Sequence, residues 1–300
     1  MHPTRTLLAF ALAAACAPAF AGTPIHEVRA ANRDVRVDVS NVKGSVTVSG
    51  WDKPEVAIGG TLGDGARKLA VTGDASHLRI KVEAPEQRSW FSWGADSRMG
   101  DTLLDIKVPR EAEMKIEVIS ADVSLSGVAG RSLNVESVSG KQRIDSGAKE
   151  VEVESVSGDI EVAGKADRAH IETVSGNIRA RGLGGRLKFE TVSGDVDAEN
   201  ANYREVEAGT VSGDIELRGT PADGARIEVE TMSGDLRLRL PATASMRIKA
   251  STFSGRIRSD FGKVEEADHG PGSSLDATIG DGAGQVRIET FSGDVDIRQQ

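Results

Sequence analysis

The sequence predicts an all-β protein: a parallel β-solenoid of roughly ten coils, each about 18–21 residues long, with a β-rich N-terminal cap. Three observations predict it. The string Ser/Thr-Val/Met/Phe-Ser-Gly recurs eight times between residues 137 and 293 at nearly constant spacing. Apolar and polar residues around each copy alternate with a period of two, which is strand geometry. Finally, 34 glycines accompany only seven Phe, three Trp and one Tyr in 300 residues. A unit this short cannot bury its apolar edge alone, whereas stacked copies can, and a stack of narrow coils has room for aliphatic side chains but few rings. The chain is 38% hydrophobic and 28% charged, an ordinary globular balance that argues against disorder.

Taken from the N-terminus, residues 1–21 read as an export signal. Arg5 precedes the apolar run Leu7 to Ala15, and Ala19-Phe20-Ala21 forms a small-residue cleavage site before Gly22. Lipid attachment at Cys16 is the minor alternative. Cleavage after Ala21 removes Cys16, the one cysteine, and with it any disulfide or thiol chemistry. The formal net charge of −9 becomes one unit more negative without Arg5, so the chain has no overall attraction for nucleic acid. No later segment approaches the ~18 apolar residues of a membrane span.

Residues 22–110 carry the same alternation in looser form, as in Val35 to Val39, Ser45 to Val48, Leu78 to Val82 and Leu104 to Val108. This part is expected to continue into the solenoid of residues 111–300 and to cap its N-terminal end. The corners of that solenoid are Ser139-Gly140, Ser157-Gly158, Ser175-Gly176, Ser193-Gly194, Ser212-Gly213, Ser233-Gly234, Ser254-Gly255 and Ser292-Gly293. Their glycines lie 18, 18, 18, 19, 21, 21 and 38 residues apart. A degenerate copy, Ser120-Ala121-Asp122, precedes them. The last interval equals two coils of 19, and turn signals from Glu265 to Gly284 place a loop or hairpin within it. A glycine at every corner is expected where the backbone approaches closely or φ is positive. The inward phase is expected to slip between the Ser/Thr three positions before each glycine and the Val/Met/Phe two before it, so that both strands face one interior.

The run of Thr-Val-Ser-Gly-Asp-Ile/Val copies, preceded by Gly50-Trp51-Asp52-Lys53 and closed by Ile288 to Val295, resembles the bacterial putative-adhesin β-strand-repeat family over nearly the whole mature chain. The resemblance implies a β-helical, exported or membrane-associated protein. That family defines no catalytic residues, so none is carried over.

The columns created by the repeat are the candidate chemistry. A nucleophilic serine needs a base in hydrogen-bond reach. The histidines, His2, His26, His77, His170 and His269, do not recur with the repeat, so the corner serines read as structural. After the glycine come Asp159, Asn177, Asp195, Asp214, Asp235 and Asp294, with Lys141 and Arg256 breaking the series. Such a column could take Ca²⁺, but turn hydrogen bonding fits better, and the nine-residue calcium β-roll signature is missing. Glu136, Glu154, Glu172, Glu190, Glu230 and Glu289 form an outward acidic column, read as a solvated face or a docking face. Trp90, Phe91 and Trp93 crowd one polar loop, either to close the end of the solenoid or to contact a ligand, glycan or membrane interface. No catalytic, cofactor or metal residues are assigned. The expected function is a non-enzymatic, exported binding or scaffold protein of the cell envelope, whose partner is an envelope protein, a glycan or a wall component. A polysaccharide-acting β-helix enzyme and a calcium-stabilised rod are the rivals.

Overall fold

The computed structural model describes residues 22–84, 99–266 and 271–300. All the regular structure among them is β-strand. The export-signal reading and the Trp90, Phe91 and Trp93 loop lie outside the described residues.

Each middle repeat yields two strands separated by its Ser-Gly corner. Ser132–Ser139 is followed by Gln142–Ser146, Glu150–Ser157 by Ile160–Gly164, and Arg168–Ser175 by Ile178–Arg181. Equivalent strands of successive repeats pair in parallel and in exact repeat register: Val153 lies beside Val135 and Ile171, and Val162 beside Ile144 and Ala180. Two parallel ladders result, enclosing a thin aliphatic interior. The one phenylalanine fully buried there, Phe189, has Ala208 as its register neighbour and Ala198 in its own coil, so small side chains make room for the ring.

The phase change falls elsewhere than expected. In the coil at 132–146, Leu133, Val135 and Ser137 point inward, Val138 is exposed, and Gln142, Ile144 and Ser146 are inward again. The Ser/Thr therefore continues the inward alternation of the first strand, and parity switches at the Ser-Gly corner. Strict alternation can only change where the ladder is broken, and the corner is that break. The glycines are required by close approach: a Cβ at Gly194 would lie 2.7 Å from the carbonyl carbon of Gly176, and one at Gly213 2.7 Å from that of Gly194. Each corner packs on the preceding one with no space for a side chain.

At both ends the order of stacking departs from the order of sequence. Arg36–Trp51 pairs in parallel with Glu113–Val128 on one side, and with His77–Glu83 and Thr102–Pro109 on the other. The earlier coil thus sits inside the later one. Antiparallel strands lie beyond: Lys68–Gly73 on His77–Glu83, Glu55–Leu62 on Thr102–Pro109, and Thr23–Ala30 on Glu55–Leu62. At the far end Gly284–Ser292 inserts between Ile215–Ser233 and Met246–Ser254, and Val295–Gln299 between Leu236–Leu240 and Ile257–Ser259. Ser273–Ile279 covers Met246–Ser254 in antiparallel sense and pairs in turn with Val264–Glu266. The 38-residue interval is therefore an antiparallel excursion and a return, in place of two coils.

Candidate docking face at the repeat corners

Three adjacent columns meet just before the corners. Because parity holds through the first strand, the residue four before each glycine points out, the next points in, and the next points out. The inward column is polar: Ser137, Ser155, Thr173, Thr191, Thr210, Thr231, Thr290 and Thr252 are all buried. The Thr252 hydroxyl donates to the Gly293 carbonyl at 3.2 Å. The hydroxyl oxygens of Thr173, Thr191, Thr210, Thr231 and Thr290 have no partner within hydrogen-bond distance.

The column beside them is apolar and faces outward. In stacking order it runs Ile119, Val138, Val156, Val174, Val192, Val211, Met232, Phe291 and Phe253. Val174 is 45% exposed and Phe253 63%. Phe253 and Phe291 stack with ring centroids 4.9 Å apart and planes inclined by 10°. An isolated exposed valine is unremarkable, but a continuous ridge along the molecule marks a contact surface.

Between this ridge and the glutamate column runs a trough with the threonines as its floor. One stretch, of about 950 Å³, reaches from Glu172 to Phe253, and a second, of about 550 Å³, from Ser40 to Val174; Glu172 lines both. Two clips tie glutamates of neighbouring coils. Lys115 Nζ lies 2.7 Å from Glu117 and 3.2 Å from Glu136. His170 occupies the equivalent place in its coil, with Nε2 3.4 Å from Glu190 and 3.9 Å from Glu172. The donor atoms of His170, Glu172 and Glu190 all lie within 4.8 Å of one another. No local pattern marks this cluster, since the register that joins coils at 170 and 190 is a tertiary fact. Lys188 also reaches Glu190 at 2.8 Å. Burial pushes the Glu190 carboxyl up, but the bonds from Lys188 and His170 outweigh it and hold the group below its usual value. His170 thus takes, between Glu172 and Glu190, the place that Lys115 takes between Glu117 and Glu136. Glu154 and Glu230 have no ion-pair partner among the described residues.

On the other side of the ridge the Asp/Asn column forms a ladder with the backbone. Asp159 Oδ1 accepts the N–H of Asn177 (3.1 Å), Asn177 Oδ1 that of Asp195 (3.0 Å), Asp195 Oδ1 that of Asp214 (2.9 Å) and Asp214 Oδ1 that of Asp235 (2.9 Å). Asp235 then serves Asp294 (3.0 Å), and Asp294 serves Arg256 (3.0 Å). The two breaks in the series now have physical reasons. Lys141 takes a bond from its own N–H to Asp122 at 2.8 Å but carries no acceptor for the next coil, and Arg256 is the last rung. Each acidic side chain gives one oxygen to the backbone of the neighbouring coil, where a turn role would have it bond its own backbone. The Arg256 N–H is the largest influence on Asp294, holding its carboxyl below the ordinary range against the opposing effect of burial.

The corner serines lie between these columns. Ser139 Oγ donates to the Ile119 carbonyl at 3.2 Å. Among the described residues no histidine ring is hydrogen-bonded to a corner serine; His77 is instead paired with Asp38 at 2.8 Å. What sequence reasoning missed is the exposure of the Val/Met/Phe column. The available signal was parity itself: the positions seven, five and three before the glycine share one face, which puts the position two before it on the other.

Comparison with solved structures finds matches at low identity. A putative adhesin from Parabacteroides distasonis ATCC 8503 is 11% identical, with 92% of this chain and 98% of that one covered and a TM-score of 0.44. A putative adhesin from Bacteroides fragilis NCTC 9343 is 10% identical, with 92% and 97% covered and a TM-score of 0.44. A putative lipid binding protein from Parabacteroides distasonis ATCC 8503 is 11% identical, with 93% and 99% covered and a TM-score of 0.44. Comparison with curated proteins finds no match. The Toastrack DUF4097 family model matches twice, over residues 27–183 and 185–298, in keeping with the repeat and with nearly the whole described chain. The chain belongs to the Toastrack DUF4097 family.

Proposed function

We propose that the protein is a non-enzymatic binding module, exported to the periplasm or cell surface, that holds an envelope partner along its corner face. The observation that carries this reading is the unbroken exposed ridge from Ile119 to Phe253, set on a rod whose other outward positions are largely polar or charged. Nine apolar side chains in line supply contact area on a pre-formed scaffold, so little conformational entropy is lost when a partner docks. The signal-like residues 1–21 support export, and the segment Gln87 to Gly94, with Trp90, Phe91 and Trp93, belongs to the same proposal as an additional contact loop.

The enzymatic rival requires a carboxylic acid whose proton is held near neutral pH. The described carboxyl groups with a resolved shift, Asp38, Asp74, Glu190, Asp260 and Asp294, are all shifted downward, which favours carboxylates that pair and orient over one that donates a proton.

Site-specific photocrosslinking in a producing bacterium tests the reading. A photoreactive residue at Val192 or Val211 should give a discrete adduct with an envelope component, and one at Arg181, on the opposite sheet, should not. Equal labelling from both faces, or hydrolysis of a wall polysaccharide by the purified protein, overturns it.

A further inference from the structure

We infer that the occupant of the corner face is a basic amphipathic α-helix, one whose apolar stripe carries Lys or Arg on the flank that meets the glutamate column. The inference rests on the proposed binding role of that face and adds the chemistry of the partner.

Charge comes first. The apolar ridge is bordered on one side by Glu117, Glu136, Glu154, Glu172, Glu190, Glu230 and Glu289. Glu154 stands without an ion-pair partner among the described residues, and Glu230 meets only the nearby charge of Arg287, so part of this field is free to meet a cation. The Asp ladder on the other side is largely neutralised, by Lys141 at Asp159, by Arg237 at Asp214 and Asp235, and by Arg256 and Arg258 at Asp294. An apolar ridge with one acidic border complements an apolar stripe with a basic flank. The same border repels an anionic membrane, and it opposes two copies that meet glutamate side to glutamate side.

Spacing comes second. Side chains along the ridge repeat once per coil, at roughly 4.8 Å. An α-helix laid along it presents a new turn about every 5.4 Å, so one apolar side chain per turn stays near one ridge residue per coil over several coils. An extended peptide presents same-face side chains about 6.6–6.8 Å apart and loses step within two. The trough of about 950 Å³ beside the ridge is where the helix's basic flank would meet the glutamates. Met232, Phe291 and Phe253, the last three steps of the ridge, form its largest apolar surface and would anchor the helix.

The test uses the purified protein and three probes. The first is a synthetic 18-residue Leu/Lys peptide with leucines on one helical face and lysines on both flanks. The second is an isomer of the same composition with leucine and lysine strictly alternating. The third is a pair of vesicles, one zwitterionic and one of anionic phosphatidylglycerol. The helical peptide should bind and gain helicity by circular dichroism. Its affinity should fall at least tenfold in Phe253→Ser/Phe291→Ser, and measurably in Glu154→Gln/Glu230→Gln, which leaves packing untouched. Unchanged melting of both variants certifies the fold. Equal binding of the alternating isomer, indifference to both variants, preferential binding to either vesicle, or self-association lost in the phenylalanine variant overturns the inference. If ridge crosslinks form in cells while the helical peptide fails to bind, the helix falls and the binding role stands. If the ridge gives no crosslinks either, both fall.

Discussion

The middle of the molecule and its two ends are built from the same coil but assembled by different rules. From residue 132 to residue 240 each coil stacks on the one before it. At the ends the chain has length to spare. It lays down one coil, departs through antiparallel strands, and puts the next coil on the opposite side of its predecessor or inside it. The outermost coils at 77–109 and 246–259 are thus each second from the end in sequence, and both carry antiparallel strands on their outer edges. A parallel stack would otherwise expose a row of unpaired backbone groups at each end, an invitation to edge-to-edge association. The two halves matched by the family model meet near residue 184, and the reordered ends mirror each other about it. The 38-residue break marks the reordered end, but the regular 21-residue interval from Gly234 to Gly255 also spans two coils that are not neighbours, so spacing alone does not report the stacking order.

Three changes would break or sharpen this contrast. The largest effect is expected from deleting residues 284–300. That segment lies between two other coils and contributes Val286, Ile288, Val295 and Ile297 to the core. Burial of four such side chains corresponds to more than about 6 kcal/mol. Hydrogen exchange should show lost protection across residues 215–283, whereas removal of the outermost strand Thr23–Ala30 should leave the neighbouring coils protected. Protection confined to the last few residues before the cut would show that the chain stacks in simple order.

The middle is probed by Gly194→Val, which drives a side chain into the Gly176 carbonyl and should cost about 4 kcal/mol or more in urea unfolding. Gly224→Ala is the matched control. Gly224 has φ of 70° but open space around it, so only the left-handed backbone term of about 1–2 kcal/mol applies. Similar losses for the two would mean that the corner relaxes around an added side chain and that close approach does not require glycine there.

The smallest effect concerns the rung that crosses the reordered end. Asp294→Ala should cost about 1 kcal/mol, while Asp294→Asn keeps the acceptor, as Asn177 does in the middle. Folding lowers this carboxyl's pKa, so its stabilisation is complete above the unfolded aspartate value near ~3.9 and is lost as pH falls through the folded value. Acid unfolding of Asp294→Asn should therefore be shallower below about pH 4 than that of the parent. An unchanged acid limb would show that the Arg256 N–H does not hold the carboxylate.

How much could be read in advance is clearest in particular residues. The Ser-Gly corners and the alternation of Val151, Val153, Ile160 and Val162 specify parallel coils from local pattern alone, since a period-two chain with regular breaks has few other ways to bury its apolar half. Asp159 and its equivalents were legible as turn residues; that each bonds the next coil's N–H, instead of its own turn, was not. Val174 and Phe253 are apolar, which favours an inward place, but strand parity with the buried Thr173 and Thr252 turns them outward.

The sequence by itself determined the coil, its aliphatic filling and the need for glycine at the corner, because these depend on contacts between a residue and its copy one repeat away. Only the tertiary structure decided the order of coils at the ends, the exposure of the ridge and the meeting of His170 with Glu190. These depend on which strand becomes the neighbour, and neighbours 38 or 59 residues apart, such as Arg256 with Asp294 or Asp235 with Asp294, leave no local pattern to read.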